Sequence, residues 1–322
     1  MNNKYTVLKL LEKTSNVISG QSIAKILGIS RAAVWKHIHS LQDDGYAIIS
    51  STKGYSLDKS CDVINADAIK SIVGENYEIE VFDTIDSTNN YIKNIANESR
   101  EGKVVIAKNQ SSGKGRLGRS FFSPDGSGIY MSILLKPKMS INDTTLITAM
   151  SALAVCEAVY DVVGIECPIK WVNDIYHNNK KLCGILCEAG YNMELANLSY
   201  VVVGIGINVY EPKFGFPDEI KSIATGLLTE KSYDLRNRLI SKIIDKIFYY
   251  YNHIHDRSFV KEYKNRCFVL GKNISVVKNS DSKKAKAIDI DEDCRLLVEY
   301  DSGEKQYLNS GEISIRLWKQ KN

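Results

Sequence analysis

The seven cysteines of this chain (Cys61, Cys156, Cys167, Cys183, Cys187, Cys267 and Cys294) never fall at C-x-x-C spacing. That argues against a zinc site or a disulfide framework and for a reducing compartment. Long apolar runs are lacking too: none approaches the roughly 20 residues of a membrane span, so no membrane partner is expected. The first residues, Met-Asn-Asn-Lys-Tyr, hold no signal-peptide apolar core, and the expected location is cytoplasmic. Beyond the first fifth of the chain there is no excess charge of either sign. Residues 60–322 carry 34 Lys/Arg and 34 Asp/Glu, whereas residues 1–59 carry 8 against 4. A small basic region on a large neutral one points to a polyanion as partner of the small one.

What is present fits two or three globular domains: 322 residues, 44% of them apolar and 25% charged. Residues 1–58 read as helix, helix, turn, helix, hairpin. Tyr5, Leu8 and Leu11 line a first helix. Ser19 caps a second over 21–27, where Ile23, Ile26 and Leu27 recur at helical spacing, and Gly28 ends it. Ser30 caps a third whose buried stripe is Val34, Ile38 and Leu41. Short strands at 46–50 and 54–57 flank a Ser-Thr-Lys turn. The pattern is a winged helix-turn-helix. Its candidate DNA contacts are Ser22, Ser30, Arg31, Ala32, Trp35, Lys36 and His39, with Lys53 in the wing. The competing reading, a helical protein-binding module, does not account for the basic balance. Residues 58–65 look like a short polar linker.

Residues 66–265 mix helices and strands without βαβ alternation, which implies an α+β domain on one mixed sheet. Strands are expected at 78–85, 104–107, 128–135, 169–172, 181–188 and 198–209. Helices are expected at 87–96, at 144–163 and around Leu235, Leu239, Ile243, Ile247 and Tyr251. Residues 267–322 read as five short strands (273–277, 285–290, 296–300, 305–308, 313–317) separated by turns at 279–281 and 301–303.

The chemistry gathers at residues 110–122, Gln-Ser-Ser-Gly-Lys-Gly-Arg-Leu-Gly-Arg-Ser-Phe-Phe. Gly113, Gly115 and Gly118 alternate with Lys114, Arg116 and Arg119. Glycines free the backbone for φ > 0, and successive N–H groups beside fixed cations make a nest for an anion. The string satisfies G-x-G-x-x-G and misses a P-loop by one residue. No helix signal follows either pattern, so neither a dinucleotide fold nor a P-loop is indicated.

Four further motifs accompany the loop: Asp-Ser-Thr-Asn at 86–89, Lys-Trp-Val-Asn-Asp at 170–174, Lys-Leu-Cys-Gly-Ile-Leu-Cys-Glu at 181–188, and Gly-Ile-Gly-Ile-Asn at 204–208. In this order they resemble the bifunctional biotin–protein ligase and biotin operon repressor family, over essentially the whole chain. The resemblance implies three domains: a winged helix-turn-helix at 1–58, a biotin- and ATP-binding domain of class II synthetase-like fold at 66–265, and an SH3-like barrel at 267–322. It implies a two-step reaction. Biotin and ATP give biotinyl-5′-AMP and pyrophosphate, and biotin then passes to a lysine on the carrier domain of a carboxylase.

The first step brings one anion against another, and fixed cations relieve the repulsion. Lys181, Arg116 and Arg119 are the residues assigned to that task, with Lys181 bridging the biotin carboxylate and the α-phosphate. Ser87, Thr88, Asn89 and Gln110 suit the ureido ring, where a Ser/Thr pair donates to the carbonyl and the Gln bonds an N–H. Lys114, Gly115 and Arg116 offer backbone to the carboxylate. Lys114 stands where the family mostly has Arg, which leaves charge but no bidentate fork. Gly113, Arg119, Phe121, Lys170, Trp171, Asn173 and Asn208 are assigned to the nucleotide, with Gly204 and Gly206 leaving room for it. Asp174 is the candidate Mg2+ ligand and a helper for the acceptor amine. The remaining expectations are operator DNA as partner, a homodimer when adenylate is bound, and a dimer surface near an exposed edge of strand 198–209. The rival readings are a lipoate or octanoyl ligase of the same fold and a ligand-sensing transcription factor without turnover.

Overall fold

The computed structural model describes residues 3–14, 16–140, 143–192, 197–278, 281–309 and 314–317. The amino-terminal unit contains α1 (Asn3–Lys13), α2 (Gly20–Leu27), α3 (Arg31–Asp43), β1 (Ile48–Ser51) and β2 (Gly54–Leu57). Local chemistry sets its limits. Ser19 Oγ accepts from Ser22 N at 3.0 Å, Ser30 Oγ accepts from Ala33 N at 3.1 Å, and Gly28 closes α2 at φ 65°. The wing is an antiparallel pair that gains a bridge from Ile18 to Tyr55. Gly54 is obligatory there: its φ is 138°, and a Cβ would lie 2.2 Å from Ile18 O. Val7, Leu8, Leu11, Ile23, Val34, Ile38 and Leu41 form a core separate from that of the rest of the chain.

The central unit opens with α4 (Ala66–Val73), capped by Asn65 Oδ1, which accepts from the N–H groups of Asp67 and Ala68. This helix was not expected. Two turns give too little periodicity to stand out. Then come β3 (Glu78–Ile85), α5 (Thr88–Ile95), β4 (Lys103–Gln110), β5 (Gly128–Leu135), α6 (Thr144–Val163), β6 (Ile169–Lys170), β7 (Asp174–His177), β8 (Lys180–Asn192), β9 (Asn197–Asn208), α7 (Leu235–Asn252) and α8 (Phe259–Arg266). Seven strands form one sheet in the order β3-β4-β5-β9-β8-β7-β6. Only β3 and β4 run parallel; the other pairs are antiparallel, so the sheet is mixed as expected. β9 lies between β5 and β8 over Val201–Asn208, which leaves the strand edge that the dimer expectation required only at residues 197–200.

Helix α6 is long and apolar enough to cross a membrane, contrary to the sequence reading, but 72% of its most apolar window is buried in the protein interior. It is the core helix over the sheet, packed against α7 and α8. The tail carries β10 (Asn273–Lys278), β11 (Asp281–Ile290), β12 (Leu296–Tyr300), β13 (Lys305–Leu308) and β14 (Ser314–Leu317), an antiparallel sheet in the order β13-β12-β11-β10-β14. The turn residues Asn279 and Ser280 and the start of the expected strand 313–317 lie outside the described residues. The tail shares one apolar core with the central unit: Ile274, Ala287 and Leu296 belong to the same cluster as Met150 and Ile205. All seven cysteines are free.

Residues 58–65 are a correction. Asp58, Lys59 and Ser60 are exposed as a polar linker would be, but residues 61–65 are packed into the protein. Asp62 is buried, and both its carboxylate oxygens accept hydrogen bonds from Arg236 and Tyr210 of the central unit.

Candidate active site

The glycine loop leaves β4 and folds back on itself. Gly115 N donates to Arg119 O at 2.7 Å and Phe121 N to Gly113 O at 2.8 Å. Of the three glycines only Gly118 has φ > 0 (72°); beside it Leu117 also sits in the left-handed region at φ 56°, a position that costs a non-glycine residue about 1–2 kcal/mol. Gly113 serves a close approach instead, because a Cβ there would lie 2.4 Å from Phe121 O. The Gly115 N–H expected to face a carboxylate is spent inside the loop.

This fold-back places Phe121 on the sheet. A Cβ on Gly206 would meet the Phe121 ring at 2.6 Å, and one on Gly204 would meet Asn89 Oδ1 at 2.1 Å. The room that those glycines were expected to leave for a ligand is therefore filled by two side chains of the site itself. Gly206→Ala is expected to push the Phe121 ring off the sheet at about 1–3 kcal/mol, read as a several-fold to hundredfold rise in the KM for ATP. An unchanged KM would remove Phe121 from the nucleotide site.

Above the sheet lies a cleft of about 170 Å3. Ser87, Thr88, Asn89, Gln110, Lys114, Gly115, Arg116, Arg119, Phe121, Lys170, Trp171, Asn173, Asp174 and Lys181 all line it. Gly113 and Asn208 do not. Asn208 is buried at the end of β9, where its carbonyl accepts from Leu227 N.

The lining falls into a charged group and a neutral polar one. Lys181 Nζ lies 2.6 Å from Asp174 Oδ1, and Arg116 donates to Asn173 Oδ1 at 2.6 Å. Asn173 in turn donates to Ile185 O at 2.9 Å, so strand β8 fixes the residue that holds Arg116. Burial pulls the Arg116 guanidinium below its usual pKa, and Asp174 draws it back up. The Lys114 ammonium donates to Asn90 Oδ1 at 2.6 Å, at the α5 side of the cleft. Trp171 is buried and donates to Cys294 O in the tail, which ties the cleft wall to the last domain.

In the neutral group, Ser87 caps α5 as its place at a strand–helix junction suggests. Thr88 N donates to Gln110 Oε1 at 2.9 Å, and Gln110 Nε2 donates to Ser123 Oγ at 2.9 Å. Asn89 Nδ2 donates to Glu188 Oε2 at 2.8 Å, and Glu188 Oε1 also accepts from Lys93 at 2.6 Å. Burial pushes the Glu188 carboxyl up, but the Lys93 and Asn89 bonds outweigh it and hold it below the usual range. Ser132, Ser123, Lys93 and Glu188 received no role from the sequence. The one available signal was Ser132, a hydroxyl in the otherwise apolar run of β5, whose eight residues are all buried.

At the other end of the chain, Ser22, Ser30, Arg31, Ala32, Trp35, Lys36, His39 and Lys53 are all exposed. Trp35 is 55% exposed and its ring lies 3.9 Å from that of His39, so the indole is not folded under the wing. The Ser30 hydroxyl is engaged as a cap.

A cation-lined cleft on a mixed sheet, carried with an exposed winged helix, defines the class: a ligase-type domain joined to a DNA-binding domain. Three family models match in series, an HTH domain over 3–56, the biotin/lipoate A/B protein ligase family over 81–208, and the biotin protein ligase C-terminal domain over 269–316. The chain is 37% identical to the bifunctional ligase/repressor BirA of Bacillus subtilis over 229 residues, 69% of either chain. It is 39% identical to that of Bacillus spizizenii over 220 residues, 66% of either. The biotin protein ligase of Aquifex aeolicus, solved with biotin and ATP, superposes with a TM-score of 0.63 at 27% identity, over 75% of this chain and 99% of that one. This chain belongs to the bifunctional biotin ligase/repressor family.

Proposed function

We propose that the chain is an ATP-dependent biotin–protein ligase that also represses transcription, with limits at 1–58, 66–265 and 267–322 for its three domains. One observation carries the catalytic part: the Lys181 ammonium and the Arg116 guanidinium share a cleft with the uncharged Thr88–Gln110 group. The neutral group suits a ureido ring and the charged group suits a carboxylate beside a phosphate. The biotin carboxylate is already ionised, so attack on the α-phosphate calls for no general base. Lys181 leaves Asp174 to bridge the two anions, Arg116 and Arg119 take phosphate oxygens, and the backbone N–H groups of Lys114 and Arg116, with that of Gly115 already engaged, hold the carboxylate. Pyrophosphate leaves and the mixed anhydride stays. In the second step the neutral amine of the acceptor lysine attacks the carbonyl, the acyl–phosphate bond breaks and AMP leaves, with Asp174 beside the incoming amine to take its proton.

A magnesium ion fits this donor set only in the mode where phosphate oxygens supply most ligands. Asp174 is the one carboxylate lining the cleft, and no group of three acidic, His or Cys side chains that could hold a metal occurs among the described residues. Asp174 and the triphosphate would hold it, and it would neutralise phosphate charge.

The test is pyrophosphate release from ATP with biotin, run beside lipoate. Release with biotin is expected. Release with lipoate alone would make the chain a lipoate ligase, and none with either would leave a ligand-sensing regulator.

The regulatory part rests on the exposed face of α3 and the wing. Bound adenylate favours a homodimer, and a dimer spans two operator half-sites. Lys36→Ala is expected to weaken DNA binding evenly across sequences and to lower the slope of log K against log salt by about 1. An unchanged slope would take Lys36 off the phosphate backbone. The family membership supports a cytoplasmic site of action.

A further inference from the structure

We infer that Trp35 and His39 form one rigid base-reading unit on α3, matched to a DNA half-site in which a thymine adjoins an adenine or a cytosine. The inference rests on the DNA reading above and names the base chemistry that reading leaves open.

Position comes first. Ala32, Trp35, Lys36 and His39 fall at i, i+3, i+4 and i+7, on one face of the helix, and all four are exposed. The same spacing carries the base contacts of a homeodomain's third helix. The opposite stripe, Val34, Ile38 and Leu41, is spent on the core, so this is the face that α3 offers a partner.

Two contacts hold the pair still. The rings lie 3.9 Å apart at an interplanar angle of 34°, and His39 Nδ1 lies 3.2 Å from Trp35 O. A carbonyl only accepts, so Nδ1 carries the hydrogen, and in the neutral ring Nε2 is a bare acceptor. Among the described residues nothing hydrogen-bonds Nε2. Each ring fixes the other before DNA arrives, which lowers the ordering cost of binding. The same i, i+4 pairing recurs at Tyr249 and His253 on α7, where His253 Nδ1 lies 2.8 Å from Tyr249 O. Helix geometry therefore builds such a pair wherever the residues fall. What gives this one a polyanion to face is the basic unit that carries it, with Lys36 on the same side.

Chemistry then selects the bases. The indole face is apolar, and the apolar group in the major groove is the thymine C5-methyl. A bare imidazole nitrogen takes a donor, and the donors on base edges there are adenine N6 and cytosine N4. Guanine would meet it with two further acceptors. The 3.9 Å between the rings is close to the rise of about 3.4 Å per nucleotide, which sets the two contacts on neighbouring bases.

The test uses the full-length protein, with and without biotin and ATP, at about pH 8, where an ordinary imidazole is neutral. Selection from random duplexes gives the preferred half-site. Binding to it is then titrated against duplexes with single groups changed. Uracil for the thymine removes the methyl. 2-Aminopurine for an adenine, or 2-pyrimidinone for a cytosine, takes the amino group out of the major groove. In the unchanged protein uracil is expected to weaken binding about fourfold, and loss of the amino group about three- to tenfold. Trp35→Ala is expected to abolish the uracil effect. His39→Ala is expected to abolish the amino effect without lowering the slope of log K against log salt. His39→Phe keeps the stack, and with it the uracil effect, but not the amino effect. Neither ring belongs to the apolar core, and the base changes in the unchanged protein test the inference without any variant. If the selected half-site lacks a thymine beside an adenine or cytosine, or if either base change is without effect in the unchanged protein, the inference is wrong. It is equally wrong if His39→Ala weakens all duplexes evenly and lowers the salt slope, since His39 then touches phosphate. If no sequence is selected, with or without biotin and ATP, the DNA reading itself fails.

Discussion

Lys181→Ala is expected to lower pyrophosphate release by about 10²–10³-fold while leaving the fold intact. The size follows from how the residue is held. Lys181 N donates to Ile223 O at 2.7 Å and Lys181 O accepts from Thr225 N at 3.1 Å, so its backbone is clipped to the segment that crosses β8. Its stem crosses Gly184, where an added Cβ would lie 3.1 Å from both Cε and Nζ. The ammonium is delivered to the cleft by main-chain bonds on one side and by a missing side chain on the other. Such fixed charge needs no reorganisation when a second anion arrives, which is what makes it catalytic. Removing it also leaves Asp174 unpaired in a cleft that must accept two anions. A second variant separates the two effects. Lys181→Ala with Asp174→Asn should recover part of the loss in the affinity for biotin and ATP but little of the turnover. Lys181→Arg should not rescue turnover, since a planar fork does not replace a compact ammonium over Gly184. A loss of less than about tenfold in Lys181→Ala would take the residue out of the chemistry.

How legible the molecule was depends on where its signals sit. The helix-turn-helix could be read because its caps are local: Ser19 and Ser30 do in the structure what their sequence positions say. The long elements β3, β5 and α6 were legible at their ends, since each is bounded by a turn or a glycine. The three cations and the Thr88–Gln110 pair were found because the motifs mark them. What escaped is tertiary. Nothing near Gly204 or Gly206 announces that Asn89 and Phe121 will lie across them; a glycine written into a strand says only that something comes close. Nothing near Lys114 tells that its ammonium will turn to Asn90, or that Leu117 will adopt the conformation expected of the glycines. β9 reads like any apolar strand, and its position between β5 and β8 is a property of the whole sheet. Glu188 stood inside a quoted motif with no role, because its meaning lies in its bonds to Asn89 and Lys93.

The second half of the segment 58–65 was misread most completely, and it carries the largest expected effect on stability. Asp-Lys-Ser-Cys-Asp-Val-Ile-Asn has the composition of a linker. In the structure Asp62 accepts from Arg236 N and Nε, both at 3.0 Å, and from Tyr210 OH at 2.8 Å. Arg236 also donates to Asp62 O and to Gly128 O. Their side chains are 0% and 5% exposed. Gly128 begins β5, Tyr210 follows β9 and Arg236 lies in the first turn of α7, so one ion pair ties the segment leaving the DNA-binding unit to three elements of the catalytic unit. Its neighbours extend the seam: Asn237 bonds Val63 O and Asn65 N, and Tyr233 OH reaches Glu12 of α1 at 2.6 Å. Asp62→Ala leaves a guanidinium buried without its counter-charge, which costs about 3–5 kcal/mol. The expected result is an earlier denaturant midpoint for the catalytic unit, read by the intrinsic fluorescence of Trp171 in a background with the other two tryptophans replaced. The comparison that isolates the charge is Asp62→Leu with Arg236→Met. Apolar partners of similar volume remove both desolvation terms, and the pair should regain most of the lost stability. If Asp62→Ala shifts the midpoint by less than the equivalent of about 1 kcal/mol, or if the apolar pair is no better than the single change, the seam owes its stability to backbone packing and not to the ion pair.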